Sequence, residues 1–360
     1  MTRLMSGCSA ERRNAIRRLL SGAAAAATAL STMVRAAQDT AERRYAFVSH
    51  APDSDTWWNT IRNALAHASE DYGIQVDYLN PKDGSIDEMA HTLRGISPTR
   101  YSAVISTIAD FRLLQEPLAD IARHKHLPLI TVNSGTTLQS EQVGALMHIG
   151  QPEFDAGRAA GEEARKAGVR SAVCFNHYPQ NAASHERCNG FAAGLGLAGP
   201  AKELVLEGSA AAIEQAVRRF LSEGPLPDAV LTLGPTGAHP TLAALTAMKA
   251  LPGKPMLVTF DLSTPITQGV RGGGVAFAID QQPYLQGYLP VALLREYLRR
   301  PDASINAVKL AVYANEKLHM RMARYGISLK PADRAHINSG PGFVTKVNVQ
   351  KVERYSGQFR

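Results

Sequence analysis

The chain alternates between short apolar runs and longer segments whose apolar residues recur at helical spacing. The first apolar run covers residues 45–49, a polar stretch follows at 50–55, and apolar residues three or four positions apart begin at Trp57. This pattern predicts a strand, a loop and a helix. Its repetition predicts an α/β fold of parallel sheets, covered by helices on both faces and connected by right-handed crossovers.

The repeated units fall into two similar halves, because the pattern restarts near residues 145–150. The predicted strands are 45–49, 74–79, 103–107, 127–132 and 145–150, and then 171–176, 202–206, 229–233, 256–260 and 275–279. The predicted helices are 57–72, 85–96, 113–125, 154–167, 187–195, 213–221, 241–250 and 284–299, followed by a looser tail.

Polar residues follow the ends of the predicted strands in both halves. Ligands of open parallel sheets bind at the carboxyl ends of the strands. These polar positions are His50, Asn80, 107–110 and 133–135, and then 176–177, 234–236, Asp261 and 280–281. An Asp such as Asp261 either caps the next helix or accepts a hydrogen bond from a ligand, and spacing alone favours the cap.

Two adjacent tryptophans, Trp57 and Trp58, start the first predicted helix, and the sequence contains no others. Neighbouring residues on a helix point about 100° apart, so only one ring of the pair packs well on the sheet. A carboxylate such as Asp55 beside an aromatic face suits a sugar or polyol, whose C–H groups lie on the ring while its hydroxyls donate to the acid. The alternative is that Trp58 belongs to the core and Trp57 is a half-exposed cover.

Arg187 lies near the start of a predicted helix and has polar neighbours, Asn181, Ser184 and Asn189. A guanidinium in that position can donate to two hydroxyl groups at once, which suits a polyol. The alternative is a surface ion pair with Glu186 or another nearby acid.

The first 36 residues differ from the rest of the chain. Arginine pairs at 12–13 and 17–18 precede a weakly apolar, alanine-rich run over 19–34, and Ala36 follows. This order predicts an export signal, 1–36, with cleavage at about Ala36. The arginine pair and the weak apolar run favour a twin-arginine signal, and a general secretory signal is the alternative.

Removal of this leader changes the charge of the chain. The formal net charge is +7, and the leader holds six Arg and one Glu, so the remainder carries about +2. A nearly neutral remainder without a basic stripe argues against a nucleic-acid partner. Outside the leader no stretch reaches the roughly 18 apolar residues that a membrane-spanning helix needs.

Of the three cysteines, Cys8 leaves with the leader, Cys174 falls in a predicted strand and Cys188 in the next predicted helix. An exported protein can oxidise such a pair, but we expect two separate buried thiols. The sequence contains no nucleotide-binding glycine motif, nucleophile elbow or H-E-x-x-H zinc motif. We therefore predict no catalytic residue, no metal and no cofactor.

Five segments of the chain are the most specific to a known family: FVSHAPDSDTWW, ITVNSG, HERCNGF, VTFDLSTP and AIDQQPYLQGY. Through them the chain, from Tyr45 to about Lys351, resembles the type I periplasmic binding proteins of sugar ABC transporters, the group similar to ribose-binding protein. The resemblance implies an α/β fold of two doubly wound parallel-sheet lobes joined by a three-strand hinge. It also implies closure of that hinge around a ligand.

The resemblance implies a set of ligand-binding residues, which are Asp55, Trp57, Trp58, Asn133, Arg187, Asp261 and Gln281. The first three fall where the family has a polar residue followed by paired aromatics that sandwich the sugar. Asn133 is at the polar position after the fourth strand, and Arg187 stands in the family's R-x-x-G-F pattern. Asp261 and Gln281 match the strand-end Asp and the Gln ahead of Pro283.

The chain departs from the family at two points. It has Gly234–Pro235 where Asn-Asp is common, so one hydroxyl contact is missing or moved. The first loop is also longer than the family's shortest form. Both departures bear on which sugar is bound rather than on the class of protein.

We predict a non-enzymatic, exported solute-binding protein of the periplasm, a monomer that captures a small sugar or polyol between two lobes. Its predicted partner is an ABC transporter permease in the inner membrane. The predicted lobes are 44–148 with 282–336, and 149–281 with 337–360, joined by strands that cross near Ile149, Ile279 and Ile337.

Three other classes of protein are alternatives. A sensor component would deliver the same ligand to a chemoreceptor or a sensor kinase. A LacI-type repressor core has a similar fold, but it carries a helix-turn-helix where this chain has its alanine-rich leader. A secreted enzyme would need a nucleophile and a base, and the sequence shows no such arrangement.

Overall fold

The computed structural model describes residues 44–179, 181–248, 254–329 and 336–360. The predicted export signal, 1–36, lies outside these residues. The strands, in chain order, are β1 (Arg44–Val48), β2 (Gln75–Leu79), β3 (Ala103–Ser106), β4 (Leu129–Val132), β5 (Met147–Gly150), β6 (Ala172–Asn176), β7 (Glu203–Val205), β8 (Ala229–Thr232), β9 (Met256–Phe260), β10 (Phe277–Asp280), β11 (His336–Asn338) and β12 (Gly342–Thr345).

Helices alternate with these strands along most of the chain. They are α1 (Asn59–Tyr72), α2 (Ile86–Arg94), α3 (Phe111–Arg123), α4 (Thr137–Gln142), α5 (Glu153–Lys166), α6 (Ala182–Leu195), α7 (Ala210–Ser222), α8 (Pro235–Ala247), α9 (Thr264–Gly272), α10 (Pro283–Arg299), α11 (Ile305–Tyr313), α12 (Glu316–Tyr325) and α13 (Val349–Val352). Short 3₁₀ turns cover Thr56–Trp58 and Glu353–Tyr355.

In the described part of the chain the strands form two six-stranded sheets, one in each lobe. The first-lobe sheet has the order β11-β5-β4-β3-β1-β2, and the second-lobe sheet has the order β12-β10-β9-β8-β6-β7. Neighbouring strands are parallel except β12, which runs antiparallel to β10 because the chain enters it directly from β11 without a helix between them. The prediction of two doubly wound α/β lobes is confirmed.

Each sheet is buried on both faces, as the strand β1 illustrates. Tyr45 and Phe47 pack into one cluster with Ile61 of α1, while Ala46 and Val48 pack into the cluster beneath α2 and α3. All four strand residues are 0–1% exposed. Burial on both faces explains why the strands read as continuous apolar runs rather than as alternating patterns.

The prediction of a loose tail after residue 299 is wrong for the described residues. Helices α11 and α12 form there, capped at their amino ends by the side chains of Ser304 and Asn315. Leu318 and Met322 of α12 join the first-lobe core. The sequence obscures α12 because five of its ten residues are Glu, Lys, His or Arg, which leaves only a narrow apolar stripe. The sequence prediction also omits the short helices α4 and α9.

Helix α8 begins at Pro235, well before the predicted start at residue 241. Proline suits the first helical position, because its missing N–H would have no partner inside the helix there. Gly234 precedes it in an extended conformation. The residues 235–236, predicted as part of a loop, therefore form the start of a helix beside the second-lobe cleft edge.

Three crossovers join the lobes in the described residues: 151–152 between β5 and α5, 281–282 between β10 and α10, and 339–341 between β11 and β12. They pack so closely that a side chain at Gly340 would come within 2.9 Å of the Gln281 Cα atom. β5 and β11 stay paired in the first-lobe sheet, so two crossings come just after the predicted divisions at 148/149 and 336/337, and the third coincides with the predicted division at 281/282. That division stays a prediction.

The segment after β12 packs against both lobes. Thr267 of α9 lies 3.4 Å from Ser356, hydroxyl to hydroxyl, on the second-lobe side. Phe359 stacks on Tyr325 of α12 with ring centres 4.6 Å apart. The Arg360 guanidinium pairs with Asp280 at 2.7 Å, and their side chains are 6% and 2% exposed. This segment therefore contacts both lobes and pairs with Asp280, the residue that leads into the second crossover.

A disulfide joins Cys174 of β6 to Cys188 of α6. The expectation of two separate thiols is wrong, because α6 packs on β6 and places the two Cα atoms 5.7 Å apart, within the usual range for a disulfide. The bond ties α6 to the sheet one residue after Arg187.

Replacing both Cys174 and Cys188 by Ala should lower the free energy of unfolding by about 3 kcal/mol, since the bond closes a loop spanning 14 residues. Urea unfolding followed by circular dichroism measures the loss. The wild type with and without reductant is the control. Equal midpoints in all three samples, together with two thiols that titrate in the untreated wild type, would contradict the assignment.

Candidate ligand-binding cleft

The carboxyl ends of both sheets face the crossovers. β5, β10 and β11 each lead into a crossover at their carboxyl end, and the strands parallel to them end on the same edge. Polar residues that follow the strands of the two lobes therefore face each other across a cleft.

Each lobe presents a hydrogen-bonding residue in a left-handed backbone conformation at the same point of its sheet. Asn133 follows β4 with φ 61°, and Asp261 follows β9 with φ 63°. Asn133 donates its N–H to Ile149 at 3.1 Å, and Asp261 donates its N–H to Ile279 at 2.8 Å. Asn and Asp tolerate this conformation better than other side chains. The two halves of the chain thus build equivalent corners.

Asp261 does not cap the next helix. Ser263 does so, since its hydroxyl accepts from the Ile266 N–H at 3.3 Å. The interpretation of Asp261 as a cap, which spacing favoured, is therefore wrong. Its carboxylate instead belongs to the cleft.

A chain of side-chain hydrogen bonds connects the two corners. Asn133 donates to the amide oxygens of Gln286 at 3.0 Å and Gln281 at 3.4 Å. Gln281 donates from its Nε2 to the Asp261 Oδ1 at 2.6 Å. Gln281 and Gln286 are 3% and 0% exposed. Three predicted site residues, one from each lobe and one from a crossover, thus lie together.

Arg187 forms an ion pair that is largely buried, and its partner is Glu153 rather than Glu186 or an acid on the surface. Its Nε and Nη2 atoms donate to Glu153 at 2.7 and 2.8 Å, and its Nη1 donates to the Leu233 carbonyl at 3.1 Å. The guanidinium lies 4.5 Å from the centre of the Phe260 ring. These bonds use three of its five N–H groups, which leaves two with which it can donate to a ligand.

The pKa values of Arg187 and of two groups near it are shifted, for different reasons in each case. Burial opposes ionisation of Arg187, but the Glu153 carboxylate outweighs it and raises its pKa. Burial raises the pKa of Asp261 to about 6, although Arg187 and Gln281 act in the opposite direction. Burial and the positive charge of Arg187 lower the pKa of His177 to about 4, so this imidazole is neutral at pH 7.

His177 has a buried Nδ1 atom without a hydrogen-bond partner among the described residues. Its ring packs against Tyr178 with centres 4.5 Å apart. A buried ring nitrogen without a partner costs free energy, which a ligand or a water would recover.

The two tryptophans occupy different environments. Trp58 is 3% exposed and belongs to the first-lobe core, whereas Trp57 is half-buried and packs over it. Their ring centres are 5.3 Å apart at 74°. Of the pair, Trp57 is therefore the ring with exposed surface, and Trp58 takes the position that the core interpretation gave it.

Asp55 fixes the start of this aromatic turn. Its Oδ1 accepts from the Trp57 N–H at 3.1 Å and so caps the 3₁₀ turn. Burial raises its pKa despite that bond and the charge of Arg62. The pKa of Tyr178, on the other lobe, is raised by burial and also by the Asp55 charge. The Asp55 charge on the first lobe therefore acts electrostatically on Tyr178 of the second lobe.

His50, two residues after the end of β1, packs against Trp58. Its ring meets Trp58 edge to face with centres 5.2 Å apart, and its Nδ1 lies 3.0 Å from the Thr107 hydroxyl. Burial lowers the pKa of His50 to about 4, so it too is neutral at pH 7.

Two α/β lobes, three crossovers and one cleft with hydrogen-bonding groups from both sides define a two-lobed ligand-binding protein. Residues 45–301 match the family described as periplasmic binding protein domain, and the chain belongs to that family. This membership confirms the resemblance found in the sequence and the prediction of a binding protein rather than an enzyme.

Individual relatives agree with this membership. The chain is 26% identical over 253 residues to the ribose import binding protein of Haemophilus influenzae, covering 67% of this chain and 80% of that protein. A carbohydrate transporter from Acidothermus cellulolyticus, solved with myo-inositol, is 25% identical with a TM-score of 0.71, over 88% of this chain and 99% of that one. A periplasmic solute-binding protein from Actinobacillus succinogenes with bound D-allose has the same fold, with 14% identity and a TM-score of 0.65 over 85% and 99% of the two chains.

The structure brings most of the predicted site residues to the cleft. Asn133, Gln281 and Asp261 form one hydrogen-bonded chain, and Arg187 lies near enough to Asp261 to lower its pKa. Asp55 and Trp57 lie on the first-lobe side, while Trp58 is buried behind them. Their contact with a ligand stays a prediction.

Three residues were absent from the predicted site. His50 and His177 follow β1 and β6 and are among the polar strand-end positions found in the sequence, but the family resemblance implies no ligand contact for them. Glu153 carries no such signal, because an acid in the first turn of a helix is common for electrostatic reasons alone.

Within the described ranges, no helix is long and apolar enough to span a membrane. The same residues contain no group of three His, Cys, Asp or Glu side chains that could hold a metal ion.

Trp58→Ala should lower the free energy of unfolding by about 3–5 kcal/mol, because it empties a volume in the core. Trp57→Ala should cost less, because that ring is only partly buried. Urea unfolding of both variants measures the difference. A larger loss for Trp57→Ala than for Trp58→Ala would show that the two rings have been assigned the wrong way round.

Protein stability should depend on the ionisation of Asp261. Its folded pKa of about 6 lies above the ordinary value near 3.9, so the folded state holds a proton that the unfolded state has lost between these pH values. Stability should therefore fall as pH rises from about 4 to about 6, by as much as about 3 kcal/mol from this group.

Asp261→Asn should remove this decline, and unfolding free energies at pH 4, 5, 6 and 7 measure the difference from wild type. Asp228→Asn, on the second-lobe surface, is the control, because there the Arg170 and Ser171 backbone N–H groups lower the pKa of the carboxyl. A constant difference between wild type and Asp261→Asn over this range would contradict the raised pKa.

Proposed function

We propose that this protein captures a small sugar or polyol between its lobes and delivers it to the permease of an ABC transporter. The observation that carries the proposal is the hydrogen-bonded chain Asn133–Gln281–Asp261, which joins donors and acceptors of both lobes. The half-buried Trp57 ring of the first lobe adds an exposed aromatic surface. A polyol needs that combination, since its hydroxyls both donate and accept while its C–H groups favour an aromatic surface.

Each proposed contact has a defined chemistry. The Asp261 and Asp55 carboxylates accept from ligand hydroxyls, and the two remaining N–H groups of Arg187 donate to them. The amide of Asn133 both donates and accepts, and Trp57 covers one face of the ligand.

The proposed ligand is a single ring of sugar or cyclitol size. The relatives support this class, because one is named for ribose and two were solved with myo-inositol and D-allose. A ligand of this kind would contact both lobes, so its binding free energy favours the closed state over the open one.

The proposed partner is the permease, and the proposed site of action is the periplasm. Support comes from the family and from relatives named as transport proteins. These names support delivery to a permease more than delivery to a chemoreceptor or a sensor kinase. The protein would act as a monomer, one ligand per chain.

Thermal-shift assays and calorimetry with D-ribose, D-allose, myo-inositol and related monosaccharides test the proposal. A ligand at 100 times its Kd should stabilise the protein by about 2.7 kcal/mol. Asn133→Ala should weaken binding by about tenfold or more, as expected for a lost hydrogen bond in a closed site. Asn306→Ala, an exposed position on α11, is the matched control. No binding by any neutral monosaccharide or cyclitol would refute the proposal.

Export is a separate part of the proposal, based on the arginine pair at 12–13 and the weak apolar run that follows. The mature protein should begin near residue 37 and be recovered from the periplasm. Amino-terminal sequencing of the periplasmic fraction measures this. Functional protein that begins at Thr2 would contradict it, and Lys at both 12 and 13 should block export only on the twin-arginine route.

A further inference from the structure

Glu153, in the first turn of α5, engages Arg187 with both carboxylate oxygens. The distances are 2.7 Å from Oε2 to Nε and 2.8 Å from Oε1 to Nη2. The two side chains are only 11% and 12% exposed. A bidentate pair at this burial holds its geometry firmly, and it cancels the charge of the guanidinium where a ligand would meet it.

The carboxylate of Glu153 is fixed by a further contact. Gln151, in the first crossover, donates from its Nε2 to the Glu153 Oε2 at 2.8 Å. The guanidinium is in turn held by the Leu233 carbonyl and the Phe260 ring. Neither partner can turn away without breaking more than one interaction.

Four glycines bring the helices that carry this pair into backbone contact. A side chain at Gly157 or Gly161 of α5 would come within 3.0 Å of the backbone nitrogen of Phe191 or Leu195 on α6. A side chain at Gly190 or Gly194 of α6 would come within 2.9 or 2.8 Å of backbone nitrogens on α5. This crossing lets the short Glu153 side chain reach Arg187 in full bidentate geometry.

The other ionisable groups around the cleft leave it with an excess of negative charge. In the described part of the chain no cation is bonded to the carboxylate of Asp55 or Asp261, and Arg187 pairs with Glu153 instead. His50 and His177 are neutral at pH 7, since burial lowers the pKa of each to about 4. Asp280, at the end of β10, is already neutralised by Arg360.

We propose that Glu153 determines the charge selectivity of the cleft: by neutralising Arg187 it admits uncharged or amino-bearing polyols and rejects those that carry a carboxylate or a phosphate. The inference rests on the proposed function, in that the cleft is where the polyol binds. An anionic ligand would meet the carboxylates of Asp55 and Asp261 and a guanidinium whose charge Glu153 already neutralises. An amino group would gain a favourable partner in Asp55 or Asp261.

The first test needs no knowledge of the ligand. Melting temperatures of wild type, Glu153→Gln and Glu153→Ala are measured against sodium acetate, with acetamide and sodium chloride as probes matched in size and in ionic strength. Acetate should stabilise both variants in a saturable way, because it restores the carboxylate beside Arg187, and should leave the wild type unchanged. Glu153→Asp, which keeps the charge, should behave as wild type.

Glu162→Gln is the matched control for this test. Glu162 lies on the same helix and pairs with Arg158 at 3.0 Å, but both side chains are 50% exposed. It should show no saturable acetate effect. Equal responses to acetate in wild type and both Glu153 variants would overturn the inference. Should Glu153→Gln fail to fold, recovery of the folded state by acetate but not by acetamide supports the inference, and failure of acetate to recover it overturns the inference.

The second test uses calorimetry to compare D-galactose, D-galactosamine and D-galacturonate. It also compares the neutral, amino-bearing and acidic compounds derived from glucose and from inositol. The wild type should bind neutral or amino compounds and reject the uronates. Glu153→Gln should raise the affinity for a uronate relative to its neutral parent by about tenfold or more, because the Arg187 cation, no longer neutralised by Glu153, can pair with the ligand carboxylate. A wild type that prefers a uronate overturns the charge inference but leaves the proposed function intact. A wild type that binds none of these compounds counts against the proposed function, and the acetate test still decides the role of Glu153.

Discussion

The structure depends on one steric constraint, which is the close packing of the crossovers between the lobes. Gly340 has no room for a side chain, because Gln151 and the backbone at Gln281 fill the space around its Cα atom. Chain segments packed this closely fix where both sheets end relative to each other. They also limit relative motion of the lobes to bending about this point, as expected of a hinge in a few residues at the ends of elements.

Buried polar side chains beside the crossovers place hydrogen-bonding groups at the point where both sheets end. Gln281, Gln286 and Ser339 are 3%, 0% and 0% exposed, so their amide and hydroxyl groups need partners within the protein. Gln286 donates to Ser339 at 2.9 Å, and Gln281 donates to Asp261. One hydrogen-bond network thus includes groups from both lobes. A ligand that bonds to Asn133 or Asp261 would therefore be connected to the crossover through Gln281.

The fold could be predicted from sequence because parallel strands buried on both faces, such as β1, leave an apolar run that is hard to mistake. The strand ends also marked Asn133, Asp261 and Gln281, since topology alone brings such positions together. Glu153 and the Cys174–Cys188 bond could not be predicted, because both depend on how closely α6 packs on α5 and β6. Four glycines set the approach of α6 to α5, and a glycine in a sequence does not show which backbone it faces.

The central claim is that a ligand is held by both lobes and closes the cleft about the crossovers. Double electron–electron resonance between spin labels at Leu138 in the first lobe and Val205 in the second, both exposed, measures it most directly. The labels are attached to cysteines introduced at these two positions with the native disulfide intact. Saturation with the tightest-binding polyol should shorten and narrow the distance distribution, and Trp57→Ala should abolish the change at the same polyol concentration. An identical distribution with and without a polyol that calorimetry shows to be bound would contradict the account.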